Sequence, residues 1–404
     1  MIGIEGLKTI RDFDLKERIV FLRLDLNVPL SKGVITDDNR IRESLPTIKY
    51  AIEKGAKLVM ASHMGRPKSA QDREFSLEPV AQALTEKLGV EVILVEEPAS
   101  EAMTALITGL RKNQIILLEN LRYEAGETEN SGELAQKFAA YSDVYINDAF
   151  GACHRAHASI DALPRLMKNR GVGFLIEKEI QVLETLLKKP KAPYWTVLGG
   201  SKVSDKIGVI ENLLEKVDGF IIGGAMAYTF IKAMGHPVGK SRVETDKLNY
   251  ARELMARLES RGKSLLLPVD HVVAGSLQDK TGQVVKSIPD DMLGLDIGPE
   301  SIRLFSQALR GAATVFWNGP MGVFETPAFS KGTFALANVL AECQSFRVIG
   351  GGDSAAAVAA AGVADKMSHI STGGGASLEY LQGDRLPGLD ALRPRKDEGI
   401  TTSL

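Results

Sequence analysis

The chain has 404 residues, beyond the roughly 250 to 300 at which a single hydrophobic core usually stops growing, so two domains are expected. Hydrophobic residues make up 44% and charged ones 25%, with a net charge of −2 and no polybasic run, which argues against a nucleic-acid or membrane partner recognised by bulk charge. Two cysteines, Cys153 and Cys343, are too few for a disulfide framework or a four-thiolate zinc site and suit a reducing, cytoplasmic setting.

The opening MIGIEGLKTIRDFD becomes charged before an apolar h-region forms, so no secretory signal is expected. Five apolar runs then read as buried strands: IVFLRLDLNV, AKLVMASH, VEVILV, NQIILLENLR and SDVYINDAFG. Stretches of helical spacing such as EPVAQALTEKLG separate them, the rhythm of a parallel sheet covered by helices. Arg23, His63, Arg66, Arg122 and Arg155 recur near the carboxyl ends of these strands, and Arg40 follows in TDDNRIR. Singly, each arginine reads as a surface residue or an ion-pair partner. Convergent at one crevice, their planar forks would suit carboxylate and phosphate oxygens.

The window NDAFGACHRAHAS sets Cys153, His154, Arg155 and His157 among small residues. A metal site would need further ligands, but Cys343 and the other histidines lie far off in sequence without ligand spacing. The anion reading is favoured, with Cys153 a small buried residue.

Next comes KNRGVGFLIEKEIQVLETLLKKP, in which Ile176, Ile180, Leu183 and Leu187 keep helical spacing and Pro190 ends the run. It reads as a connecting helix over about 174–189, with a hinge near Gly171 and Gly173.

The second half repeats the alternation in YWTVLGGSK, GFIIGGAMA, SLLLPVDHV, TVFWNGPMG and FRVIGGGDS, most of these strands ending in glycine. Glycine between a strand and a helix leaves amides open toward an anion at a helix N-terminus. In GGSKVSDKIGVIENLLEKV, Val203, Ile207, Ile210, Leu214 and Val217 trace one helix face, which places Lys202 and Lys206 together in its first turns. Lysines there oppose the helix dipole unless an anion such as phosphate is present. Asp353 and Ser354 open an Ala-rich helix; Asp353 reads either as a cap or, beside phosphates, as a Mg²⁺ ligand. STGGGASLEY offers further amides around Gly373, Gly374 and Gly375, and Glu325 is a candidate acceptor for ribose hydroxyls. RGKS at 261–264 imitates the end of a P-loop but lacks its first glycine and the following helix.

Taken together, RLDLNVPL, DDNRI, ASHMGRP, ENLRY, GACHRAHAS, GGSKVSDK, LGLDIGPES, WNGPMGVFE, GGGDS and STGGGASLE closely resemble the phosphoglycerate kinase family, in order over nearly the whole chain. Met64 and Ser201 stand where Leu and Ala are usual, and neither is a charged site position. The resemblance implies an α/β protein with two Rossmann-like doubly wound parallel-sheet domains joined by a hinge helix. The expected bounds are 1–173 for a 3-phosphoglycerate-binding domain, 174–387 for a nucleotide-binding domain, and 388–404 for a tail packing back near the first domain.

The implied reaction is reversible phosphoryl transfer between Mg-ATP and the carboxylate of 3-phosphoglycerate, giving ADP and 1,3-bisphosphoglycerate, by hinge closure and without a general base. By similarity Asp25, Asn27, Arg40, His63, Arg66, Arg122 and Arg155 bind the acid, and Arg40 also reaches the transferring group with Lys202, Gly374 and Gly375. Lys206, Gly294, Glu325, Gly351, Gly352, Asp353 and Ser354 bind nucleotide, Asp353 facing Mg²⁺. A cytoplasmic monomer with no nucleic-acid or membrane partner is expected. Two rivals, a ligase acting on another carboxylate and a non-catalytic two-lobed binding protein, leave the ordered motif set unexplained.

Overall fold

The computed structural model describes residues 5–111 and 114–394, so the expected tail beyond residue 394 lies outside the described residues. The chain divides into two compact units, Met1–Gln181 with Arg385–Leu404, and Val182–Asp384.

The first unit is built on a six-stranded sheet, every neighbour parallel, in the order 91–95, 114–118, 57–61, 19–24, 144–148, 170–172. Ile19–Leu24 lies inside this sheet, buried along nearly its full length, and so reads as a continuous apolar run interrupted only by Arg23. Val20, Leu22, Leu58, Met60, Ile115, Leu117 and Ile146 form one face of its core together with Ile41, Ile48, Val80 and Leu84 from two covering helices, Asn39–Glu53 and Glu78–Leu88. Each such side chain contributes about 1.5–3 kcal/mol on full burial.

The second unit carries a six-stranded parallel sheet in the order 264–266, 219–222, 194–198, 314–318, 346–350, 369–370. In chain order this is the 3-2-1-4-5-6 arrangement of a doubly wound sheet, whose switch point falls between Tyr194–Leu198 and Thr314–Asn318. Trp317, Phe305, Leu336 and Ile349 fill one side of its core. A three-stranded antiparallel sheet, 283–285, 271–274, 293–297, belongs to the same unit. Among the described residues no helix is long and apolar enough to cross a membrane.

Several expectations about elements need correction. SLLLPVDHV is not one strand: Ser264–Leu266 joins the parallel sheet and His271–Ala274 the antiparallel one, with Pro268 between them removing a backbone donor. The single helix expected from Val203 begins instead with a 3₁₀ turn, Ser204–Lys206, and is α-helical only over Ile207–Leu213, so Lys202 sits in the preceding loop.

The glycines expected at a hinge are packed into the first unit. Gly171 lies in the edge strand Arg170–Val172, where a Cβ would stand 2.7 Å from the Lys8 carbonyl oxygen. A Cβ on Gly173 would stand 2.3 Å from the Asp148 carboxyl carbon, and the Gly173 amide donates to the Asn147 carbonyl at 2.8 Å. The helix itself spans Phe174–Lys188, and the division between units falls within it. At the far end of the chain, the Gly388 amide donates to the Cys153 carbonyl at 2.9 Å, which ties Pro387–Asp390 to the first unit.

Candidate functional site

In the first unit, Arg23 lies near the end of strand 19–24, Arg40 opens the helix Asn39–Glu53, and the segments following strands 57–61, 114–118 and 144–148 carry the other arginines and histidines singled out from the sequence. Arg40, on the first turn of helix Asn39–Glu53, donates to Asp25 Oδ1 at 2.8 Å and to the Asn27 carbonyl at 3.2 Å. Asn27 accepts the Gly65 amide at 2.9 Å, so the loop after one strand is fastened to the loop after its neighbour. Asn120 does the same from the other side, accepting the Met64 amide at 3.0 Å and donating to the Met64 carbonyl at 2.8 Å. Arg122 donates to the Gly65 carbonyl. Arg155 is half-buried with its Nε donating to His154 Nε2 at 3.1 Å, whereas Arg66 is exposed.

These groups share one electrostatic environment. Burial first, then the charges of Arg155 and Arg23, hold the Arg122 guanidinium down to about 10, and only Glu127 among the leading influences opposes them. Burial and the neighbouring Arg23, Arg122 and Arg40 push the His63 pKa well below its usual value. His157 is driven down to about 4 by burial and the charges of Arg23, Arg122 and Arg155. Both imidazoles are therefore neutral near pH 7. The surplus positive charge makes this crevice a receptor for a small, multiply charged anion. Cys153 is fully buried and burial pushes its thiol pKa upward, and no group of three or more His, Cys, Asp and Glu among the described residues is placed to hold a metal.

In the second unit a cleft of about 310 Å³ opens at the switch point of the sheet. It is lined by Lys202, Lys206, Gly351, Gly352, Asp353, Ser354, Gly374 and Gly375, which the sequence had singled out, and by Asp205, Asn318 and Leu378, which it had not. The signal for Asn318 was its place at the end of a central strand: its amide donates to the Gly350 carbonyl at 2.7 Å, and its carbonyl oxygen accepts from Lys206 Nζ. Burial lowers the Lys206 pKa, an effect opposed by Asp205 and Asp353.

The glycines of this cleft divide into two kinds. Gly199, Gly200 and Gly319 hold loops against each other. A Cβ on Gly199 would stand 2.1 Å from the Pro320 carbonyl oxygen, and the Gly199 and Gly200 amides donate to Asn318 at 2.9 Å and Pro320 at 3.0 Å. Their amides are thus committed to the scaffold. Gly352 and Gly374, by contrast, open the helices Gly352–Ala360 and Gly374–Gln382; a Cβ on Gly352 would meet nothing within 4 Å, and one on Gly374 would lie 3.9 Å from the Gly352 nitrogen. Two helix N-termini therefore converge beside two lysines, the arrangement that binds phosphate. Asp353 is exposed there, while the buried Ser354 hydroxyl accepts the Gly319 amide at 2.6 Å and so braces the loop.

Two predicted residues do not line the cleft. Gly294 lies in strand Leu293–Ile297 of the antiparallel sheet, where a Cβ would stand 2.1 Å from Tyr228 Oη and its amide donates to Ser241 Oγ at 2.9 Å. Glu325 is exposed on the loop that follows Thr314–Asn318.

Comparison with known proteins bears on the whole chain. The phosphoglycerate kinase family profile matches residues 10–384. A phosphoglycerate kinase of Bdellovibrio bacteriovorus is 63% identical over 97% of this chain and 99% of its own length, and one of Clostridium perfringens is 49% identical over 96% and 99%. Among solved structures, phosphoglycerate kinase from Coxiella burnetii superposes with a TM-score of 0.85 at 39% identity, covering 96% of this chain and 98% of that one. The Pyrococcus horikoshii enzyme gives a TM-score of 0.82 at 34% identity, covering 95% and 98%.

Proposed function

Because the chain belongs to the phosphoglycerate kinase family, we propose that the cationic crevice of the first unit receives 3-phosphoglycerate and the glycine-lined cleft of the second receives the nucleotide. The family reaction is reversible phosphoryl transfer between ATP and 3-phosphoglycerate, a step of glycolysis. The observation that carries the assignment of sites is the surplus of arginines around Arg122 and His63, only partly offset by Asp25 and Glu127, which a substrate bearing both a carboxylate and a phosphate would neutralise.

In this reading Asp25 holds Arg40 and Asn27 holds the Gly65 loop, while His63, Arg66, Arg122 and Arg155 meet the acid. Arg40 and Lys202, with the amides of Gly374 and Gly375, stabilise the charge on the phosphoryl group in transit. Lys206, Gly351, Gly352 and Asp353 meet the nucleotide phosphates, Ser354 acts through the loop it braces, and Gly294 and Glu325 serve the nucleoside end. Asp353 fits Mg²⁺, because one exposed carboxylate among phosphate-binding amides completes the oxygen donor set this ion takes from phosphates and water. Bound with the nucleotide, the ion neutralises phosphate charge.

The acceptor is a carboxylate with no proton to lose, so the neutral His63 and His157 act without proton transfer. In-line transfer needs the reacting oxygen and phosphorus within about 3–3.5 Å, so the proposal includes a closing motion that unites the two substrates. The protein is proposed to act as a cytoplasmic monomer, without nucleic-acid or membrane partners.

The test is acyl-phosphate trapping: protein, Mg-ATP, 3-phosphoglycerate and hydroxylamine, with hydroxamate and ADP both measured. Equal formation of the two, dependent on every component, supports the proposal. ADP without hydroxamate, or neither product from folded protein that binds both ligands, overturns it.

A further inference from the structure

Beneath the cationic crevice lies a buried chain of polar groups whose direction is fixed by chemistry. Arg23 is fully buried in the central strand and can only donate. Its Nε donates to Ser159 Oγ at 2.8 Å, so the Ser159 hydroxyl proton must point elsewhere. It points to Glu127 Oε1 at 2.6 Å, while the Ser159 amide donates to Glu127 Oε2 at 3.0 Å. Glu127, also fully buried, is therefore an acceptor on both oxygens.

The other end of the guanidinium determines more. Arg23 Nη2 lies 3.3 Å from His63 Nδ1, and because the guanidinium has no lone pair to offer, Nδ1 must be the acceptor. The single ring proton of neutral His63 then resides on Nε2.

We propose that Glu127 and Ser159 are positioning residues which, through Arg23, fix His63 as the neutral Nε2–H tautomer and so present a permanent hydrogen-bond donor to the acid substrate. The inference rests on the proposed placement of 3-phosphoglycerate in this crevice. Burial and the adjacent arginines, which hold His63 far below its usual pKa, agree with it. A protonated imidazole would set an Nδ1–H against the Arg23 guanidinium. Without Ser159, the buried Arg23 Nε loses its acceptor, and the donation from Nη1 to the Leu24 carbonyl is left to hold the guanidinium, which loosens its grip on His63.

The experiment combines nitrogen-15 NMR of the histidine rings with steady-state kinetics on the full chain. The His63 signal is assigned by its loss in His63→Gln. In the wild-type protein without ligands, His63 is expected to show an unprotonated Nδ1 and a protonated Nε2 at neutral pH. In Ser159→Ala the two tautomers are expected to mix, and KM for 3-phosphoglycerate to rise about tenfold, the loss of one well-placed hydrogen bond to a charged group, with KM for ATP unchanged. Glu127→Gln, which keeps the side-chain shape, is expected to give the same effects more weakly and serves if Ser159→Ala does not fold.

A protonated Nδ1 in the wild-type protein overturns the proposal whatever the kinetics. So does a folded Ser159→Ala that keeps the wild-type His63 signals, or one that raises both KM values equally. If the tautomer is as expected but hydroxamate never forms, the functional reading fails while the control of His63 by Arg23 stands.

Discussion

Replacing Gly352 with alanine separates folding from ligand binding in the second unit. The new methyl group would meet no atom within 4 Å, and the residue opens the helix Gly352–Ala360. Alanine carries a helix preference of about 0.5–1 kcal/mol over glycine, so the thermal midpoint is expected to hold or rise slightly. Gly352 also lines the cleft where the proposal sets the nucleotide phosphates against the backbone amides, so an added methyl is expected to crowd them. Displacing one amide-to-phosphate hydrogen bond costs about 1.5–3 kcal/mol, which weakens binding roughly ten- to hundredfold. The control is Gly319→Ala, where φ is +97° and the Cβ would stand 2.3 Å from the Gly199 carbonyl oxygen; this variant should lose stability outright. Titration calorimetry with Mg-ADP and thermal denaturation on both variants give the comparison. A folded Gly352→Ala that binds Mg-ADP like the wild type would refute the phosphate cradle at the paired helix N-termini.

Other consequences can be checked directly. Lys202→Ala and Arg40→Ala should each lower kcat by at least about a hundredfold with little change in Mg-ADP affinity, as removal of transition-state charge stabilisation does; unchanged turnover in both would exclude them from transfer. Gly173→Pro should destabilise the first unit by about 3 kcal/mol or more in urea denaturation, because it removes the donor to the Asn147 carbonyl and drives atoms into the Asp148 carboxylate. An intact Gly173→Pro with slowed turnover would instead support a hinge at that glycine. Burial raises the Asp148 pKa from 3.8 to about 7, so the folded state holds the proton more tightly than the unfolded chain and stability contributed by this group falls as pH rises between those values. Asp148→Asn should therefore gain stability relative to wild type from pH 5 to pH 8, measured by thermal denaturation. A pH-independent difference would show that Asp148 stays ionised.

Much of the architecture was legible because parallel strands buried on both faces leave long apolar runs, and IVFLRL, VYIND and TVFWN each became a strand. Arg170–Val172 escaped notice because three residues containing a glycine carry no apolar period, and only edge pairing with Val144–Asp148 makes them a strand. Helical spacing puts Lys202 and Lys206 on one helix face; in the structure both line the same cleft, Lys202 from a loop and Lys206 from the 3₁₀ turn that follows it.

The sequence by itself determined the alternation of strands and helices and the clustering of arginines and glycines near strand ends, since both are local properties of residue order. It could not distinguish glycines that leave an amide for a ligand from those that let two backbones touch; Gly352 and Gly199 look alike until the neighbouring loops are present. Nor could it show Ser159 and Glu127 beneath Arg23, because that chain joins residues 136 and 32 positions apart in sequence. Burial and hydrogen-bond direction depend on what surrounds a group in space, and for these residues only the packed tertiary structure supplies those surroundings.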